Sequence, residues 1–245
     1  MNKKEFIIAG PSCVYPGGIW ENALLLKDKV SEIGLTFFQS QACLEYTDKE
    51  LPRDLAGLNL KYHVHLPLDY DWDMGVRHNF DITRRLIEKV RFLSPDKFVL
   101  HPPDRARLLE DFAHLWIKEG LPIETLLVEN IRTCDFSGLW EIIEDSGVGI
   151  CLDIGHIMAY DQHSILTHGF IWNRISLIHV YGREDHTGHV KLPLISDEGK
   201  ATLHLIMNRI QDKTSVLVEV FAPEDFLDSK KFLIEMAEPW GMDFV

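Results

Sequence analysis

Short apolar runs alternate with longer amphipathic stretches along this chain, and that alternation constrains its fold more than any other feature. The runs, rich in β-branched and aliphatic residues, fall at 6–9, 33–38, 62–66, 97–101, 125–129, 149–153, 176–180 and 215–220. Their length suits strands. The stretches at 20–29, 80–92, 105–118, 136–144, 157–170 and 200–210 carry apolar residues at helical spacing. Strands separated by helices are joined by right-handed crossovers and lie parallel. Eight units in 245 residues give about 31 residues each, the usual size of a repeat in an eight-stranded barrel. The expected fold is therefore α/β, a (β/α)8 TIM barrel. No Pro/Ser-rich linker or low-complexity segment interrupts the series, so residues 1–245 are expected to form one domain. The second unit is the weakest, because 48–57 contains Pro52 and allows only a short helix. A doubly wound open sheet is the rival architecture. Its glycine fingerprint is missing: the turn after the first run reads GPSCVYPGG, which fits neither GxGxxG nor GxxxxGK(S/T).

Composition narrows the functional classes. Hydrophobic residues make up 46% of the chain, enough for a substantial core. No apolar run approaches the roughly 20 residues that a membrane helix needs. The N-terminal MNKKEFIIAGPS has too short an apolar stretch for a signal-peptide core, so a cytoplasmic protein without a membrane partner is expected. Acidic side chains outnumber basic ones 38 to 25, and the net charge of −13 argues against an extended nucleic-acid partner. Cys13, Cys43, Cys134 and Cys151 lie far apart without CxxC spacing, which leaves zinc ribbons and redox motifs unsupported.

The chemistry concentrates at the ends of the runs. The third ends in His65, the fourth in His101, the fifth in Glu129 and the sixth in Asp153. His179 and Glu219 stand near the ends of the seventh and eighth. Two residues earlier, on the same strand face, stand His63, Val99, Leu127, Cys151, Leu177 and Leu217, five of them apolar as a barrel interior requires. The polar set would converge at the C-terminal mouth, where barrel enzymes carry their chemistry. Buried carboxylates and imidazoles in one place need a compensating partner, and this donor set suits zinc first, manganese or iron next. His156 follows Asp153 by three residues, and the loop YGREDHTGHV adds Asp185, His186 and His189. These are too many ligands for one ion, so two or three clustered metals are expected. Taken singly, Glu129 could cap a turn beside Asn130, and Asp153 could cap a helix. His114, His163, His168 and His204 lack the strand-end phase and are assigned to the surface or to helix packing. Asp69, Asp71 and Asp73 alternate in DYDWDMG but fail the calcium-loop pattern, since the glycine and distal glutamate are misplaced.

The ordered set resembles the xylose isomerase-like barrel superfamily, and within it the apurinic-endonuclease (endonuclease IV-type, AP endonuclease family 2) branch, over almost the whole chain. His65 in HVHLP, His101 in VLHP, Glu129 in VEN, Asp153 and His156 in LDIGH, His179 in HVYG and Glu219 in VEV fall at that branch's metal positions. His189 falls at the histidine of its D-x-H element. The aspartate of that element is replaced by Thr187, so either Asp185 substitutes or the third metal is altered or absent. PSCVYPGGIWEN and HVHLPLDYDWDMG also resemble the CbiR family of cobamide-remodelling hydrolases. That resemblance implies a small-molecule substrate, a cobamide, cut at the phosphoribosyl linkage of its nucleotide loop.

The leading expectation is thus metal-dependent hydrolysis of a compact phosphodiester, with Glu129, His156 and His189 as catalytic residues. Glu129 would bridge two metals and hold the attacking hydroxide, His65 and His101 would serve one metal, and Asp153, His179 and Glu219 the second. His156 and His189 would bind a third ion or the phosphate. Trp20, Tyr70 and Trp72 could wall a bulky ligand. Two enzymes compete with this reading. Glu129, Asp153, His179 and Glu219 also match the single-metal quartet of the tagatose-epimerase-like branch, where two glutamates move protons next to a carbonyl. That sugar isomerase or epimerase does not need His65 and His101 as ligands. An apurinic DNA endonuclease shares the metals but needs basic mouth loops, which LDYDWDMG and YGREDHTG do not provide. A non-catalytic binding protein would leave the ligand set without a purpose.

Overall fold

The computed structural model describes residues 3–186 and 188–245. Its strands are β1 (Lys4–Pro11), β2 (Glu32–Thr36), β3 (Lys61–His65), β4 (Phe98–Leu100), β5 (Leu126–Glu129), β6 (Gly149–Asp153), β7 (Ile175–Val180), β8 (Arg183–Asp185), β9 (Gly188–Val190), β10 (Ser215–Val218) and β11 (Met242–Phe244). Strands β1 to β7 and then β10 pair in parallel in sequence order. β10 returns to β1, with Ile7 opposite Ser215 and Ala9 opposite Leu217, so eight strands close into a barrel. All eight apolar runs became barrel strands. β11 adds to the start of β1, and β8 with β9 forms an antiparallel hairpin after β7.

The helices surround this barrel: α1 (Ile19–Leu26), α2 (Ser40–Leu44), α3 (Val76–Val90), α4 (Ala106–Lys118), α5 (Trp140–Ser146), α6 (Ile154–Ala159), α7 (Asp197–Arg209) and α8 (Pro223–Ala237). The second unit carries only the short α2 and a 3-10 turn at Arg53–Gly57, as Pro52 implies. The stretch 157–170 departs from expectation. α6 stops at Ala159, Asp161 takes a left-handed φ of 53°, and two 3-10 turns follow. α8 was not among the expected stretches. It opens with proline at its first turn, followed by Glu224 and Asp225, which favour a helix start. Among the described residues no helix is long and apolar enough to cross a membrane.

Two cores result. The larger lies between barrel and helices, where outward-facing strand residues such as Val64, Phe98 and Leu100 meet Leu86, Phe112 and Trp116. The smaller is the barrel interior: Ala9, Val99, Leu127, Cys151, Leu177 and Leu217 cluster there, none more than 3% exposed. Burying each larger aliphatic side chain contributes about 1.5–3 kcal/mol. Toward the strand N-termini the interior turns polar. Ser215 Oγ donates to Glu32 Oε2 at 2.7 Å, Lys97 Nζ stands 3.2 Å from the same oxygen, and His63 Nδ1 pairs with Oε1. A Cβ on Gly34 would lie 2.5 Å from His63 Nε2, so only glycine fits that close approach. The apolar layer floors the mouth above it.

Candidate metal centre

Each strand end delivers a ligand-type side chain to the mouth because the interior layer two residues earlier fixes the strand phase. His65, Glu129 and Asp153 are the last residues of β3, β5 and β6, His179 lies within β7, and His101 and Glu219 follow β4 and β10 directly. Glu129, Asp153, His179, His65 and Glu219 are buried, and His101, His156 and His189 are partly exposed to the cavity.

Glu129 is the hub. Its Oε2 lies 3.0 Å from His65 Nε2 and 3.3 Å from His101 Nε2, and its Oε1 lies 3.1 Å from His179 Nδ1. The same His179 Nδ1 is 3.3 Å from Glu219 Oε2 and 3.9 Å from Asp153 Oδ2. Asn130, next in the chain, joins the ends of β5 and β6. Asp153 N donates to its Oδ1 at 2.8 Å, and its Nδ2 donates to Asp153 O at 2.9 Å and to Gln162 Oε1 at 2.9 Å. Asp153 also caps α6, accepting the His156 amide at 2.7 Å, so the helix-cap role and a site role coexist. Gly155 in the same turn admits the ring of Tyr181, which would lie 2.1 Å from an added Cβ.

Ring orientations point outward to a ligand. His65 Nδ1 donates to Leu66 O at 2.9 Å and His156 Nδ1 to Asn130 O at 2.8 Å, which presents each Nε2 lone pair to the cavity. His65 Nε2 then faces a carboxylate oxygen as one acceptor faces another, an arrangement that needs a proton or a cation between them. Asp153 Oδ2, Glu219 Oε2 and His179 Nε2 are buried without a hydrogen-bond partner. The two orphaned carboxylate oxygens cost free energy unless something positive satisfies them.

The charges agree. Burial would raise the pKa of Glu129, but His179, His101 and His65 hold it well below the usual carboxylate range. Burial likewise opposes ionisation of Glu219, yet His179 and His189 lower it to about 2. Asp153 moves up to about 6, because it is buried and shares the space with Glu129 and Glu219. Burial would lower His179, but its surroundings, Glu219 and Glu129 among them, raise it well above its usual value. Carboxylates and imidazoles thus each favour the charged state of the other except at Asp153, and the donor set of imidazole nitrogen and carboxylate oxygen fits a borderline divalent cation.

Four groups of three side chains bring candidate ligand atoms within 4.8 Å of one another: His65–His101–Glu129, Glu129–Cys151–His179, Glu129–Asp153–His156 and Asp153–His179–Glu219. Glu129 takes part in three of them. Among the described residues His189 joins none. Its Nδ1 donates to Glu219 O at 3.0 Å, and its ring stacks on Tyr181 at 3.8 Å. His186 is exposed at the hairpin turn, Asp185 lies on β8, and Thr187 lies outside the described residues.

Other expected residues stand elsewhere. Tyr70 donates to or accepts from Thr83 at 2.6 Å, and Trp72 packs edge-on against Phe112; these two line a separate groove beside Pro102 and Pro103. Trp20 packs against the outer core. The metal cavity is walled instead by Phe38, Leu68, Phe221 and Thr36, none of which the strand-end pattern singled out. Glu184 on the hairpin was also missed; its Oε2 lies 3.5 Å from His156 Nε2. The aspartates of DYDWDMG brace loops, Asp69 capping Ser40 at 2.8 Å and Asp73 meeting Arg105 at 3.3 Å. His168 stacks on Trp140 and His204 on Trp240, His114 is exposed, and His163 pairs with Asp161, as expected of packing or surface histidines.

No family model and no curated protein sequence matches the chain. Solved structures do. A D-tagatose 3-epimerase-like protein superposes with a TM-score of 0.70 at 17% identity, over 96% of this chain and 98% of that one. The IOLI protein with a binding zinc atom gives 0.68 at 15%, over 96% of each chain. A D-allulose 3-epimerase from Methylomonas sp., in complex with D-allulose, gives 0.59 at 15%, over 91% and 87%. Xylose isomerase domain proteins are also among the similar structures.

These likenesses correct the leading expectation. The expectation of phosphodiester hydrolysis, with cobamide remodelling and apurinic-endonuclease chemistry, is overturned: the similar structures named above are an epimerase-like protein, IOLI, an epimerase and xylose isomerase domain proteins, none of them named as a phosphodiester hydrolase. The site agrees with the correction. His189, expected at a third ion or the phosphate, joins no ligand group among the described residues, and none of the described residues lining the cavity is Lys or Arg.

Proposed function

We propose that this chain is a metal-dependent isomerase or epimerase that moves a proton on the carbon beside a carbonyl group. The observation that carries the reading is the placement of two glutamates against one imidazole: Glu129 Oε1 and Glu219 Oε2 lie 3.1 and 3.3 Å from His179 Nδ1, with Asp153 beside them. Asp153, His179, Glu219 and Glu129 would hold a divalent cation, zinc, manganese or iron. When bound, that cation would polarise the substrate carbonyl and stabilise the negative charge developing on its oxygen. Of Glu129 and Glu219, one would take the proton from the substrate carbon and the other return one, on opposite faces for an epimerase. His156, its ring fixed by Asn130 O, would hydrogen-bond a substrate oxygen through Nε2.

His65, His101 and Glu129 support a second cation, which a single-metal epimerase would lack. Two cations per chain are therefore expected in excess zinc, the Asp153–His179–Glu219 pocket filling first because it carries more negative charge. The substrate would be a small molecule. Four free thiols suit a reducing compartment such as the cytoplasm, and the whole function would sit in one domain.

The test is a metal-dependence screen. Protein stripped with a chelator and reloaded with Mn²⁺ or Zn²⁺ should interconvert epimeric or isomeric hydroxycarbonyl compounds, seen by chiral chromatography, and Glu219→Gln should abolish turnover. Undiminished turnover by Glu219→Gln would overturn the assignment.

A further inference from the structure

The cavity at the metal centre, about 220 Å³, has two unlike sets of lining side chains: the polar His65, His101, Glu129, His156, His189 and Glu219, and the apolar Phe38, Leu68 and Phe221. Single exposed apolar residues are ordinary on a protein surface, but these three share one small cavity, at 47%, 46% and 42% exposure. They are held in place. Leu68 N donates to Phe38 O at 3.3 Å, tying the loop after β2 to the loop after β3. The Phe221 ring lies 5.5 Å from His189, which itself stacks on Tyr181. Among the described lining residues Thr36 supplies the one hydroxyl, and none is Lys or Arg.

We propose, resting on the isomerase or epimerase reading, that the substrate is an α-hydroxycarbonyl compound with an apolar far end, an alkyl- or aryl-bearing ketol. A free polyhydroxy ketose and a sugar phosphate fit less well. The oxygen-bearing end lies at the imidazoles and carboxylates, and the hydrocarbon end leaves water against Phe38, Leu68 and Phe221. A ketohexose would lay hydroxyls against these three side chains, and each hydroxyl left unpaired costs about tenfold or more in affinity. Among the described lining residues none is Lys or Arg, so a phosphate would have no guanidinium or ammonium partner and would compete with Glu129 and Glu219 for the bound cation. Each methylene buried instead gains about fourfold.

The experiment uses the full chain, stripped of metal and reloaded with Mn²⁺. Deuterium uptake from D2O at the hydroxyl-bearing carbon is followed by NMR for 1-hydroxy-4-phenylbutan-2-one, D-fructose and fructose 6-phosphate. The phenyl ketol should exceed both sugars by about 100-fold or more in kcat/KM. Phe38→Ser and Phe221→Ser should each lower its kcat/KM by about 10-fold or more, chiefly through KM. Equal or faster exchange of D-fructose would overturn the apolar-end assignment while leaving the proton-transfer reading standing. A serine variant that changes the oligomeric state on gel filtration, with KM unmoved, would also overturn it, marking the patch as a contact between copies. Absence of exchange for all three compounds with metal bound would instead strike the isomerase reading itself.

Discussion

Replacing Asn130 with alanine should weaken the metal centre on one side only, although Asn130 joins none of the candidate ligand groups. Its side chain satisfies Asp153 N and Asp153 O, at 2.8 and 2.9 Å, and Gln162 Oε1 at 2.9 Å. Asn130→Ala leaves these buried groups short of partners, at about 1–3 kcal/mol for each group left unsatisfied. With partial relaxation, global stability should fall by about 2–5 kcal/mol. Residues that orient a metal ligand through hydrogen bonds are worth about 10–100-fold in metal affinity. The loss should fall on the pocket containing Asp153, because His65 and His101 are positioned by β3 and β4 and pair with Glu129 rather than with Asn130 or Asp153. Calorimetric titration of Zn²⁺ into stripped protein, beside thermal unfolding, separates the two effects. Lower thermal stability with both zinc affinities unchanged, or with both reduced equally, would refute the reasoning.

Further perturbations address other links. His101→Ala should lower the zinc stoichiometry by mass spectrometry from two per chain to one, while the Asp153–His179–Glu219 pocket still fills. Gly155→Ala would place a Cβ 2.1 Å from the Tyr181 ring, so soluble yield or metal binding should drop sharply, by about 3 kcal/mol or more if the fold survives. The polar cluster beneath the apolar layer predicts an acid dependence. Burial would raise the Glu32 pKa, but His63, Lys97 and Ser215 lower it to about 2, so its contribution is complete above the unfolded carboxylate range and fades as pH falls through about 2. The full contribution is about 3 kcal/mol. Urea unfolding between pH 5 and 2.5 should show wild type losing more stability than the paired variant Glu32→Gln with Lys97→Met; parallel losses would contradict this.

Much of this was legible in the sequence because barrel strands are read by phase. Once Val99, Leu127, Cys151, Leu177 and Leu217 are placed inside, the residues two positions on must rise to the mouth, and five of those ligand-type side chains meet there around Glu129. The sixth strand-end pair shows the limit. His63 also faces inward, yet it serves Glu32 beneath the apolar layer, since the closing register of the barrel and not local pattern decides what lies beside it. The apolar lining was illegible for the same reason. Phe38, Leu68 and Phe221 sit in loops after three different strands, where no periodicity marks a direction. Nor did residue types separate hydrolysis from proton transfer, because imidazoles and carboxylates hold metals for both. The helix missed at α8 buries Phe226, Ser229, Leu233 and Ala237, a stripe too narrow and too mixed to read as apolar.

The central claim is that Glu129 and Glu219 exchange a proton on a substrate carbon. The most direct measurement follows solvent deuterium entering an α-hydroxycarbonyl substrate by NMR, with metal-loaded wild type, Glu129→Gln and Glu219→Gln side by side. The account predicts deuterium at the carbon beside the carbonyl for wild type and a loss of about 10²-fold or more in each variant. Product formation without deuterium entry, or undiminished exchange by either variant, would contradict it.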